Sequence, residues 1–253
     1  MFPREHGAYG QLLFPLIAAL SIGRPGATAF ALVLAAVAAF LAHEPMLVLF
    51  GQRGGRAARD QRSDAFRWLI AFAGPAVMAG AWAVTSSDVT VRTALVVPAI
   101  GAIALGGCVA RGIEHTVPGE MLSAVTLSSI AWPVALASGA RPIAAATCAA
   151  VFGAGFVAAT ACVHAVIART RRPPAIGTRV RSVATAAILV SVVASAARRG
   201  MLAPIGQWAV LPLAAAGAIL AVVARSSRYL RVVGWTLVAA TALTTVVVVG
   251  SLR

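Results

Sequence analysis

Residues 26–50 read GATAFALVLAAVAAFLAHEPMLVLF, and residues 51–64 continue GQRGGRAARDQRSD. In the first stretch only His43 and Glu44 are titratable. As helix, at a rise of about 1.5 Å per residue, it is longer than the ~30 Å hydrocarbon core of a bilayer. The second stretch is a burst of arginine, glycine and aspartate. The pair reads as a membrane-spanning helix delivered into an aqueous loop.

The same alternation runs along the whole chain. Apolar runs broken by Arg, Pro, Gly and Ser clusters place spans near 8–22, 26–50, 66–85, 93–111, 118–138, 142–168, 182–197, 204–224 and 230–250. The fold expected is an all-α, polytopic transmembrane bundle of about nine spans, forming one transmembrane domain over residues 1–253. The seventh span is expected to be short, and the second and sixth to project past the bilayer. No small-residue cleavage site follows the first run, which is therefore read as a retained span.

Composition agrees. Hydrophobic residues make up 60% of the 253, charged residues 11%, and mean hydropathy is +0.90, whereas soluble domains average roughly 25% charged. That leaves no room for a soluble catalytic domain. The net charge of +14 does not point to nucleic acid, because every basic residue is an arginine and most lie in short loops between apolar runs. Such a pattern orients a chain in an inner membrane. With the N-terminus cytoplasmic, the inner loops collect Arg4, Arg53, Arg56, Arg59, Arg62, Arg67, Arg111, Arg169, Arg171, Arg172, Arg179, Arg181, Arg225, Arg228 and Arg231. The outer side keeps Arg24, Arg92, Arg141, Arg198, Arg199 and Arg253. The C-terminus is then outside, and the expected location is a bacterial cytoplasmic membrane, multi-pass. Cys108, Cys148 and Cys162 fall within apolar runs without C-x-x-C spacing and read as small buried hydrophobes.

Under this topology Glu5, Glu44, Asp60, Asp64, Glu114 and Glu120 gather at the cytoplasmic end, with His6, His43, His115 and His164; only Asp88 lies outside. Acidic residues contribute little to orientation, so the asymmetry points to a polar cavity open to the cytoplasm. His43 and Glu44 lie deepest in an apolar run, where a charge costs about 2.5–3.5 kcal/mol at the bilayer centre and normally faces a bundle interior. Pro45 beside them can kink the span and open a recess. His164 sits about one turn inside the sixth span. In the 53–67 loop, a helical reading makes Asp60 and Asp64 neighbours, with Arg56 one turn earlier. Two carboxylates among guanidinium groups are suited to a diphosphate, the arginines gripping its oxygens and the carboxylates a bridging Mg²⁺. Convergence of the Glu5–His6, His43–Glu44 and Glu114–His115 dipeptides with His164 would also suit a metal. The alternative for each feature is an orienting loop or a structural pair.

The opening Pro3-Arg4-Glu5-His6-Gly7-Ala8-Tyr9, then Phe14-Pro15, Ala42-His43-Glu44-Pro45 and Gly119-Glu120, resembles the YwiC-like family of bacterial membrane proteins, most clearly over residues 1–140. More distantly, nine helices with inner loops after the second and sixth resemble the UbiA superfamily of intramembrane prenyltransferases. That resemblance implies a lateral cavity for a lipid tail and Asp-rich motifs holding Mg²⁺ and a prenyl diphosphate. Here the N-D-x-x-D-x-x-x-D pattern is replaced by His43, Glu44, Asp60 and Asp64, and the second motif's region by His164 and Arg169 to Arg172.

The leading expectation is a divergent UbiA-like transferase acting on an isoprenoid or other lipid-like substrate, with the lipid bilayer as its environment. His43, Glu44, Glu120 and His164 would be catalytic. Arg4, Glu5, His6, Arg53, Arg56, Arg59, Asp60, Asp64, Glu114 and His115 would bind substrate, with Mg²⁺ as the candidate cofactor. The alternatives are a transporter relaying protons through buried His and Glu, and a non-catalytic membrane partner subunit.

Overall fold

The computed structural model describes residues 6–171, 176–223 and 230–253. Among them the chain is helix and short connections. Its elements are α1 (His6–Ser21), α2 (Ala27–Leu49), α3 (Gly55–Asp60), α4 (Arg62–Ser86), α5 (Val89–Ala110), α6 (Val117–Ser129), α7 (Ala131–Ala137), α8 (Pro142–Arg171), α9 (Ile176–Arg198), α10 (Gly206–Ala209), α11 (Leu211–Val223) and α12 (Leu230–Leu252). Among the described residues eight stretches are long and apolar enough to cross a membrane, with α6–α7 and α10–α11 each counted as one, and α1 is a shorter apolar helix. The protein is a multi-pass membrane protein built as a helical bundle.

The nine apolar segments fall on the nine apolar runs of the sequence, with one difference in length. The seventh, α9, has 23 residues and is not short, because its first two turns take in Arg179 and Arg181. The short one is α1, with 16 residues. Pro45 does not break α2, which continues through it to Leu49. The fifth crossing does break, at Ile130 between α6 and α7.

At the centre stands α8, buried by α6, α7, α9 and α11. Small residues permit the close approach: a Cβ on Gly155 would come 2.9 Å from Leu213, and one on Gly217 3.2 Å from the Ala159 backbone. By contrast α4 packs mainly on α2 and leaves Phe66, Ile70, Met78 and Trp82 exposed. An apolar face of that size has its natural solvent in lipid. Short connections make consecutive crossings antiparallel. One end of the bundle therefore holds the C-termini of α2, α5 and α8 and the N-termini of α1, α4 and α6, and with them His43, His115 and His164 and every carboxylate side chain in the described residues except Asp88. This is the polar end.

Candidate functional site

Because α2 and α4 pair with each other while α5 packs on α6 and α7, a gap remains between the two groups. It is a cavity of about 560 Å³, walled by α2, α5 and α6 and backed by Ala8 and Leu12 of α1. That volume lies within the roughly 300–1,000 Å³ of ordinary ligand pockets. The lining is aliphatic and aromatic, including Phe40, Leu95, Leu105 and Leu127, and His43 enters it with Ser123 and Thr126 as the other polar side chains. The ring of Tyr9 meets Phe40 edge-on at 5.0 Å, holding α1 against α2.

Adjacent helix residues point about 100° apart, and this separates His43 from Glu44. His43 faces the cavity. Glu44, 5% exposed, turns to Arg53, whose Nε donates to Oε1 at 2.9 Å and whose Nη2 donates to Oε2 at 2.5 Å. The geometry is the two-pronged guanidinium–carboxylate fork. Reaching back nine residues requires a sharp turn, supplied by Gly51 at φ 74° and Gly54 at φ 96°, conformations that favour glycine. Between them Gln52 donates through Nε2 to the Val109 carbonyl at 2.7 Å. The 51–54 turn thus ties the end of α2 to the end of α5, across the polar end of the cavity.

A second pair lies on the opposite side of α1. Thr116 caps α6, its hydroxyl accepting from the Gly119 amide at 3.4 Å. Gly119 lets the turn close, since a Cβ there would stand 2.5 Å from the Ile113 carbonyl oxygen. The next residue, Glu120, places Oε2 2.7 Å from His164 Nε2, linking α6 to α8. Glu120 also borders a separate cavity of about 240 Å³ between α1, α8 and α12. His43 and Glu120 therefore border different cavities.

The remaining predicted residues do not share one site. The α3 helix stops at Asp60 and α4 starts at Arg62, so Asp60 and Asp64 are not on one continuous helix. Gln61 adopts φ −113° and ψ 10°, outside helical values. Each aspartate instead meets its own exposed arginine, Arg56 at 3.8 Å from Asp60 and Arg67 at 3.9 Å from Asp64. Arg59 is exposed on α3. Glu114 is 7% exposed. Its Oε1 lies 3.7 Å from His115 Nε2, and its Oε2 has no hydrogen-bond partner among the described residues. Arg4 and Glu5 lie outside the described residues, as does the side chain of His6. Among the described residues no three His, Cys, Asp or Glu side chains converge as metal ligands.

Sequence reasoning missed Gln52, Ser123 and Thr126. An amide in an arginine loop and hydroxyls within an apolar helix are common, and only the tertiary pairing of α2 with α5 and α6 gives them a place. Nothing matches this chain among the curated proteins or the solved structures compared with it. Among protein families, the one described as YwiC-like protein matches residues 2–135. That match takes in α1 to α6 and every wall of the larger cavity, and covers just over half of the chain: this membrane protein belongs to the YwiC-like family.

Proposed function

We propose that the protein binds an isoprenoid or other lipid-like molecule in the larger cavity. The tail would lie among the apolar side chains of α2, α5 and α6, and the polar head beside His43 at the polar end. The observation that carries this reading is the cavity itself, apolar along its length, with an imidazole on its wall and the Arg53–Glu44 pair bonded just behind. An amphiphile matches that gradient. A hydrated ion does not, and the polar side chains gather at one end rather than along a path to both faces. This favours lipid handling over transport.

The chemistry proposed for the head group is transfer, as the resemblance of the nine-run sequence layout to UbiA-type enzymes implies. Magnesium-dependent diphosphate chemistry does not fit the residues present. Asp60 and Asp64 are 66% and 67% exposed, and each pairs with a different arginine. In this reading His43 is the group nearest the head, and Glu44 fixes Arg53 rather than acting on substrate.

Thermal unfolding in lipid nanodiscs tests it, with farnesol and farnesyl diphosphate each added with and without Mg²⁺. A ligand of the folded state raises stability by RT ln(1 + [L]/Kd), about 2.7 kcal/mol at a hundredfold excess over Kd. Stabilisation by both isoprenoids without Mg²⁺ is the expected outcome. No shift with either one overturns the lipid-binding reading, and a shift only with the diphosphate and Mg²⁺ overturns the exclusion of magnesium.

A further inference from the structure

The smaller cavity has the shape of a shaft. Its lining descends α1 from Gly7 through Gly10 and Gln11 to Phe14, and α12 from Gly234 through Leu237 and Val238 to Thr241. It descends α8 from Val163 through Thr160 to Phe156. Each run covers eight residues, about 10 Å of helix from first to last, so the three walls keep level with one another from the polar end inward. Glu120 borders the shaft on α6, near that helix's start and hence near the mouth. Phe156, stacked on Phe152 with centroids 6.0 Å apart, stands at the deep end. The helix α1 separates this space from the larger cavity.

We infer that this shaft is a second, independent binding site for a small molecule with a cationic head and a short apolar body. The head would sit against Glu120, which borders the shaft and is bonded to His164. Glu120 Oε2 meets His164 Nε2 at 2.7 Å, and the Glu120 side chain remains 42% exposed, so a carboxylate edge borders the shaft. A primary ammonium, with three donors and no acceptor, suits a carboxylate that already accepts one hydrogen bond. A carboxylate or phosphate head would bring a second anion against the Glu120 carboxylate. The walls below are apolar, apart from Gln11 and the Thr160 and Thr241 hydroxyls. The volume falls short of the roughly 300 Å³ of the smallest usual drug-sized pockets, which limits the body to a short chain or single ring. This inference does not rest on the lipid reading of the larger cavity.

A hydrophobic carbodiimide tests it on the full-length protein in nanodiscs. Diisopropylcarbodiimide, whose two arms are short and branched, reaches carboxyl groups from apolar surroundings, and mass spectrometry locates the adduct. Glu120 should be labelled, and n-hexylammonium at ten times its Kd should leave about a tenth of the label. Hexanoate and hexanol should leave the label unchanged. Glu120→Gln removes the label. Gly234→Leu, at a position where a Cβ meets nothing within 4 Å, fills the shaft and removes both labelling and amine protection while the protein stays folded. Equal protection by hexanoate and hexylammonium, or an unlabelled Glu120, overturns the inference. Loss of farnesol binding in these variants would show that the two cavities are not independent and would also count against it.

Discussion

Arg53 closes on Glu44 with two hydrogen bonds, at 2.9 and 2.5 Å, from nine residues further along the chain. The carboxylate is buried and the guanidinium three-quarters buried. Removing one member strands the other, which costs about 3–5 kcal/mol, whereas replacing both with apolar residues of similar size is often neutral. Arg53→Ala should therefore lower the unfolding temperature sharply, and Glu44→Leu combined with Arg53→Met should recover most of the loss. Thermal melts in detergent check this. Equal damage from the single and double variants would contradict a pairing role and return Glu44 to the head group.

Two glycines on α5 should respond oppositely to alanine. A Cβ on Gly101 would stand 2.5 Å from the Thr126 hydroxyl on α6, while one on Gly106 meets nothing within 4 Å. Gly101→Ala should overpack the α5–α6 seam and cost about 1–3 kcal/mol. Gly106→Ala should be neutral or stabilising, since alanine is the better helix former by about 1 kcal/mol. Melting temperatures of the two variants decide it.

Gly106 also lines the larger cavity, so a larger side chain there fills it. Gly106→Leu should keep the protein folded and abolish the stabilisation by farnesol. Retained stabilisation would place the ligand elsewhere.

Asp60 and Asp64 should prove nearly silent. Exposed ion pairs contribute at most about 1 kcal/mol, and both residues stand at the surface. Asp60→Asn with Asp64→Asn should leave both unfolding temperature and farnesol binding unchanged. A loss of diphosphate binding in this variant would restore the loop as a phosphate site.

The fold was readable because the bilayer reduces it to one dimension. A run such as 26–50 has few alternatives to a spanning helix, and the loop arginines mark the ends of the runs. Length at the edges was less readable: α9 begins at Ile176, extending its span toward the polar end through Arg179 and Arg181. The site was readable only in its ingredients. His43, Glu44, Glu120 and His164 stand out as titratable residues in apolar surroundings, but sequence cannot tell which turn of a helix faces which neighbour. The 100° step from His43 to Glu44 sends one into the cavity and the other to Arg53, and α1 separates His43 from the Glu120–His164 pair. Asp60 and Asp64 looked like a pair only on an uninterrupted helix, and the break at Gln61 removes that relation.

The central claim is that a lipid-like molecule occupies the space between α2, α5 and α6. A farnesol analogue carrying a photoactivatable diazirine in its tail, irradiated with the protein in nanodiscs and followed by peptide mapping, tests this most directly. The account predicts adducts on cavity-lining residues such as Phe40, Leu105 and Leu127, suppressed by excess farnesol and absent in Gly106→Leu. Adducts confined to the lipid-exposed faces, such as Met78 and Trp82 of α4, and insensitive to competitor, would contradict it.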